Sequence, residues 1–146
     1  MLIRMKLLNN VARCQAEYRR TEVETDIPPG RHAYVLTICR EPGRTQDAIA
    51  ADLCVNKSSV ARVLSSFEEH GYVERRPSRE DKRCLLIYPT EKMLEIYPTV
   101  REVTLRWNKL LTEGIEDGEL AIFNSVLSRI EERAREICEG IAEDGK

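Results

Sequence analysis

The hydrophobic period of this chain changes at Gly71, and that change limits what the chain can fold into. Up to His70 the apolar residues recur at helical spacing. From Tyr72 they form two β-prone runs, Tyr72-Val73-Glu74-Arg75 and Cys84-Leu85-Leu86-Ile87-Tyr88, separated by the turn formers Pro77-Ser78-Arg79-Glu80-Asp81. The reading is a helix that runs directly into a hairpin with a charged tip. Asn56 is placed to cap that helix, which extends to His70, and Gly71 is a natural residue just past its end because glycine adopts left-handed backbone without steric cost. Thr45 is an equally good cap for a shorter helix reaching about Leu53.

Together these two helices, Gln46 to Leu64 (QDAIAADLCVNKSSVARVL), have the layout of a helix-turn-helix. Counting from Gln46, the fifth position is Ala50, small enough for the helices to approach, and the fifteenth and eighteenth are Val60 and Val63, which face the core. The ninth position, usually glycine in this motif, is Cys54, which implies a turn slightly different from the common one. The second helix presents Lys57, Ser58, Ser59, Arg62 and Ser65 away from the stripe Val60, Val63, Leu64 and Phe67. A polar face of this kind is often only solvated surface. Short hydroxyls beside one guanidinium also suit the DNA major groove, where serine adapts to base edges and arginine pairs bidentately with guanine.

The distribution of charge supports the second alternative. The chain has 146 residues and a net charge of -2, whereas DNA affinity comes largely from Lys and Arg on phosphates. From Arg75 to Arg83, however, five basic residues (Arg75, Arg76, Arg79, Lys82, Arg83) oppose two acidic ones (Glu80, Asp81), a net of +3. From Glu113 to Lys146 four basic residues oppose ten acidic, a net of -6. One part is therefore suited to meet a polyanion while another faces away. A tip carrying Arg79, Lys82 and Arg83 can reach the minor groove beside the helix, where the negative potential is concentrated. Asp81 is assigned an orienting role, holding the Arg83 guanidinium by a charge-assisted hydrogen bond.

The rest of the chain reads as helix. Residues 2 to 22 place Leu7, Val11, Cys14 and Tyr18 on one stripe, and Pro28-Pro29-Gly30 ends the segment. A helix over 31 to 40 is broken by Pro42-Gly43. Thr90 opens a stretch in which Met93, Tyr97, Val100, Thr104, Trp107 and Leu111 recur at 4-3-4-3-4, and Pro98 either kinks it or marks its true start; Gly114 closes it. The last helix carries Leu120, Phe123, Leu127, Ile130, Ala134, Ile137 and Ile141 at alternating spacings of 3 and 4, a seam that calls for a partner helix. No apolar run approaches the roughly 20 residues needed to span a bilayer and the N-terminal MLIRMKLLNN does not read as a signal peptide, so a cytoplasmic protein without membrane contact is expected.

The segment RTQDAIAADLCVNKSSVARVLSSFEEHGYVERRPSREDKRCLLIYPTEK resembles the DNA-binding lobe of the MarR (multiple-antibiotic-resistance regulator) family, most specifically through Gly71-Tyr72-Val73-Glu74-Arg75-Arg76 followed by Asp81-Lys82-Arg83. The likeness continues through Trp107-Asn108-Lys109-Leu110-Leu111-Thr112-Glu113-Gly114 and the terminal helix. It implies a mainly α, α+β fold: one MarR-type unit over 1–146, with a winged helix-turn-helix lobe over 31–89 and N- and C-terminal dimerisation helices over 1–27 and 90–146. It further implies a homodimer that binds double-stranded DNA at a pseudo-palindromic operator, usually represses genes near its own and releases DNA when an effector binds. In the family, residues matching Lys57, Ser58, Ser59 and Arg62 lie at the major groove, and the one matching Arg83 enters the minor groove. This chain departs from the pattern at Cys54 and at Met93, where glycine often follows the wing.

Effectors in such a family are small aromatic or anionic molecules, metals or oxidants. Two histidines, His32 and His70, without close cysteine spacing give no metal site, and no cofactor is expected. Five widely spaced cysteines at 14, 39, 54, 84 and 138 indicate no disulfide framework. Cys14, near Arg13 and Tyr18, is the best oxidant-sensing candidate, although its place on the apolar stripe suits a core residue better; Cys39 and Cys138 read as core and Cys84 as part of a wing strand. A small-molecule pocket is the default, with its lining unassigned. An enzyme reading lacks parts: there is no glycine-rich phosphate loop, nucleophile motif or acid-base pair. A protein-interaction module that has lost DNA binding is the other alternative, and such a module would not be expected to keep Arg62 with Arg79, Lys82 and Arg83.

Overall fold

A computed structural model of the chain describes residues 3–23 and 25–144. They divide into two compact units, Met1–Trp107 and Asn108–Lys146, and the lobe expected over 31–89 lies within the first. The elements are α1 (Met5–Glu22), a 3-10 turn at Pro29–Arg31, α2 (His32–Arg40), β1 (Arg44–Thr45), α3 (Gln46–Asp52), α4 (Lys57–Glu69), β2 (Val73–Pro77), β3 (Leu85–Pro89), α5 (Glu91–Leu111) and α6 (Asp117–Asp144). Helices dominate, and the three strands form one antiparallel sheet in the order β1-β3-β2, so the fold is the expected winged helix-turn-helix. Leu2, where the sequence suggests that the first helix starts, lies outside the described residues, and the helix begins at Met5. No described helix is long and apolar enough to cross a membrane.

Local chemistry sets each boundary near the site. The Thr45 hydroxyl accepts from the Ala48 N–H (3.1 Å) and starts α3, and the Asn56 side chain accepts from the Ser59 N–H (2.7 Å) and starts α4. At the other end of α4, Gly71 sits at φ +73°. Its N–H donates to the Glu68 carbonyl (3.0 Å), and the Tyr72 N–H donates to that of Phe67 (2.7 Å). This pair of bonds is a Schellman motif, and its usual apolar contact is present as the edge-to-face pair Phe67–Tyr72, with ring centroids 5.9 Å apart. The chain leaves the helix already aimed into β2.

The hairpin pairs Val73 with Pro89 through Pro77 with Leu85, and β3 also pairs with β1, Arg44 facing Ile87. Two residues are too short a run for β1 to be read from alternation. Gly43 makes it possible: it turns at φ +83°, donates its N–H to the Ile87 carbonyl (2.8 Å), and passes so close to Tyr88 that a Cβ there would lie 2.8 Å from the phenol oxygen.

The core of the first unit gathers Val35 and Ile38 from α2, Ile49 and Ala50 from α3, Val60, Leu64 and Phe67 from α4, Ile87 from β3, and Met93, Val100 and Val103 from α5. Val63 is partly buried against it. Met93, at the position of departure noted above, is fully buried and fills this core. Thr90 fastens α5 to the end of α4, its hydroxyl lying 2.7 and 3.0 Å from the Gly71 and Tyr72 carbonyls and accepting from the Met93 N–H (3.4 Å). Pro98 does not mark the start of α5, which runs through it from Glu91. Proline removes one intrahelical bond, and Pro98 is exposed, where water can serve the freed carbonyl.

The second unit is the end of α5, the turn at Gly114 (φ +79°) and the 28-residue α6. α6 buries none of its described side chains. Leu120, Leu127 and Ile130 are half-buried, while Phe123, Ala134, Ile137 and Ile141 are exposed. Cys138 is exposed, so its expected core position does not hold; the 3-4 spacing identifies a helix face but not what covers it.

Candidate nucleic-acid interface

The turn of the helix-turn-helix is closed by the same device that ends α4. Cys54 adopts φ +51° and donates its N–H to the Ala51 carbonyl (3.3 Å), while the Val55 N–H donates to that of Ala50 (3.0 Å). Cys54 thus takes the backbone conformation glycine would take, so the departure at the ninth position is met by strain at one residue. Two guanidiniums then fix α4. Arg31 donates to the Ser66 hydroxyl (2.9 Å), and the largely shielded Arg75 of β2 bridges Glu68 of α4 (3.1 Å) and Gln46 of α3 (3.4 Å). α4 and β2 are therefore tied to one another by side chains.

On α4 the predicted site residues face outward in different states. Arg62 and Ser65 are exposed. Lys57 is exposed, yet its ammonium pairs with Asp47 at 2.8 Å. The Ser58 hydroxyl donates to the Asn56 cap (2.9 Å), and Ser59 is half-buried with its N–H on the same cap. At the wing, Arg79, Lys82 and Arg83 are all exposed. The loop between the strands is closed by Ser78 N–H donating to the Cys84 carbonyl (2.8 Å) and Cys84 N–H donating to that of Asp81 (2.9 Å). The Asp81 carboxylate accepts from the backbone N–H of Arg83 at 2.9 Å. The expected bond to the Arg83 guanidinium is not formed; a carboxylate two residues away reaches the amide more directly, as in other Asx turns.

Within residues 31–92 the cations separate into two sets. Arg40 and Arg44 pair with Glu41 and Asp52, Arg75 with Glu68, and Arg76 with Glu74, the last also stacking 4.6 Å over the Tyr88 ring. Arg31 bonds Ser66, Lys57 pairs with Asp47, and Lys92 donates to the His70 carbonyl (2.9 Å) while lying over Tyr72. Among the described residues Arg62, Arg79 and Lys82, with the guanidinium of Arg83, have no such partner. These unneutralised charges lie on α4 and the wing tip. Sequence composition alone could not have separated them from Arg75 and Arg76.

A second cluster was not legible in the sequence. His32 is 1% exposed and neither ring nitrogen has a hydrogen-bond partner among the described residues; Nε of Arg19 on α1 is likewise buried and unpaired. An Arg19 terminal nitrogen donates to Thr104 of α5 (3.4 Å), and the neighbouring Tyr18 ring lies 5.2 Å from Trp107. Burial pushes the His32 pKa down, the Arg19 charge pushes it further, and the Ile27 backbone opposes weakly; burial lowers that of Arg19 also. Unsatisfied buried polar atoms are uncommon and costly, and here one lies on α1 and two on α2, near enough for the Arg19 charge to act on His32. No group of three or more His, Cys, Asp or Glu among the described residues is arranged to hold a metal. Cys14 is exposed rather than in the core, Cys84 is half-buried beside β3, and half-buried Cys39 packs on the core, where burial pushes its thiol up to about 11.

Comparison with known proteins agrees with this geometry. The MarR family model matches residues 27–85. The HTH-type transcriptional regulator YybA of Bacillus subtilis is 24% identical over 107 residues, 73% of this chain and 71% of that protein. The crystal structure of MarR is 29% identical and superposes with a TM-score of 0.74 over 93% of each chain. A MarR family transcriptional regulator from Listeria monocytogenes, solved with a 26-mer DNA, is 20% identical and superposes with a TM-score of 0.86 over 93% of this chain and 91% of that one.

Proposed function

Since the chain belongs to the MarR family of transcriptional regulators and is no enzyme, we propose that it acts in the cytoplasm as a homodimeric, sequence-specific repressor released from double-stranded DNA by a small aromatic or anionic effector. The observation that carries this reading is the set of exposed, unneutralised cations on α4 and the wing tip: Arg62, Arg79, Lys82 and Arg83. Arg62, with Lys57, Ser58 and Ser59, serves the major groove, and Arg79, Lys82 and Arg83 serve the flanking minor groove and its phosphates. Asp81 shapes the wing by holding the Arg83 backbone. The α6 seam, with Ile141 67% exposed in the single chain, supplies the dimer contact, aided by Leu7 and Val11 of α1. Arg19 and His32 offer unsatisfied donors to an anion, and Tyr18 and Trp107 offer an aromatic surface beside them.

Two recognition helices in a dimer require a pseudo-palindromic site with half-site centres about 10 base pairs apart. Selection from a random duplex pool followed by footprinting should return such a site. Recovery of a single asymmetric half-site contradicts the reading. Titration of the bound duplex with aromatic carboxylates should release the protein, and Arg19→Met should abolish that release while leaving DNA binding intact.

A further inference from the structure

The pairing of Lys57 separates it from the other cations of the DNA-reading face. It is the first residue of α4, Asp47 is the second of α3, and the ion pair at 2.8 Å spans the helix-turn-helix turn. Both side chains are mostly exposed, 73% for Lys57 and 63% for Asp47, so the pair is a surface contact and adds little to folding. Neither residue is needed to close the turn, which rests on backbone bonds at Cys54 and Val55 and on the Asn56 cap. Asp47 thus sets a carboxylate against the first residue of α4, the helix that also carries the unneutralised Arg62.

We propose that Asp47 is a positioning residue that holds the Lys57 ammonium back from DNA and so lowers the affinity of the reading face for the phosphate backbone. For Lys57 to reach a phosphate, one anion must be exchanged for another, and the carboxylate left behind repels the duplex. An exposed pair is weak enough for a phosphate to displace. Such an exchange removes part of the counterion release that a free lysine would contribute, so Asp47 sets the salt dependence of binding as well as its strength. This inference rests on the assignment of α4 to DNA.

The test is a double-mutant cycle on the full chain, read by anisotropy against a random-sequence duplex and a duplex selected from a random pool, each over a range of salt. Asp47→Asn should tighten binding to both duplexes by about threefold to tenfold and steepen the plot of log affinity against log salt by up to about 0.9 per subunit. In a Lys57→Gln background the same change should alter affinity less than about twofold, since the group it releases is gone. Weaker or unchanged binding by Asp47→Asn, or an undiminished gain in the Lys57→Gln background, overturns the proposal. If wild type binds and Arg62→Ala weakens it while Asp47→Asn does nothing, only the Asp47–Lys57 restraint is lost. If wild type ignores both duplexes, the DNA-binding assignment fails with it.

Discussion

The winged lobe and α6 manage their apolar surface in opposite ways. In the lobe, Val35, Ile49, Val60, Leu64 and Ile87 are buried to 1% exposure or less, and both helix-turn-helix helices are closed at each end by a side-chain cap or a Schellman pair. α6 is twice the length of α4, with a seam at least as regular, yet none of its described side chains is buried and Phe123 and Ile137 remain 53% and 56% exposed. The lobe is complete within one chain. A helix whose apolar face is left in water gains its stability from what comes to cover it.

The largest effect should come from breaking that difference on the α6 side. Phe123→Glu combined with Ile137→Glu should turn the proposed dimer into a monomer by sedimentation and weaken operator binding by about 100-fold or more through lost bivalency, with the circular-dichroism spectrum largely retained. An unchanged dimer would place the contact elsewhere. Next is the lobe's own closure. Gly71→Ala forces a Cβ onto a left-handed backbone and should cost about 1–2 kcal/mol in urea unfolding. Cys54 already bears such a strain, so Cys54→Gly should do the reverse and stabilise by up to about 1 kcal/mol. Smaller still is the contribution of His32. Its folded pKa is depressed by burial, so below about pH 6.5 the unfolded chain binds the proton more readily and stability should fall as pH drops through that value. His32→Leu should flatten this dependence, and an identical pH profile in that variant would contradict the assignment.

Much of the lobe was legible because its signals are local. Thr45, Asn56 and Gly71 act on amides within a few residues, and the hairpin follows from its alternation and turn formers. β1 was not legible, because Arg44 and Thr45 become a strand only by meeting Leu86 and Ile87. The same limit applies at the site: the sequence assigned α4 and the wing tip as the polar surface, but it could not show that Lys57 is engaged by Asp47, that Asp81 holds an amide rather than a guanidinium, or that Arg19 and His32 converge. Each depends on residues brought together by tertiary packing. Periodicity likewise placed Cys14 on an apolar stripe, and Cys138 read as core, without revealing that the single chain leaves both exposed.

If the unneutralised cations of α4 and the wing read DNA, the salt-dependent affinity of Arg62→Ala and Arg83→Ala for the selected duplex and for point variants of it reports that most directly. Arg62→Ala should cost about 1–3 kcal/mol and relax discrimination at one base pair in each half-site. Arg83→Ala should weaken binding to every sequence alike and reduce the salt slope by about 0.9 per subunit. Wild-type affinity, discrimination and salt slope in the double variant would contradict the account.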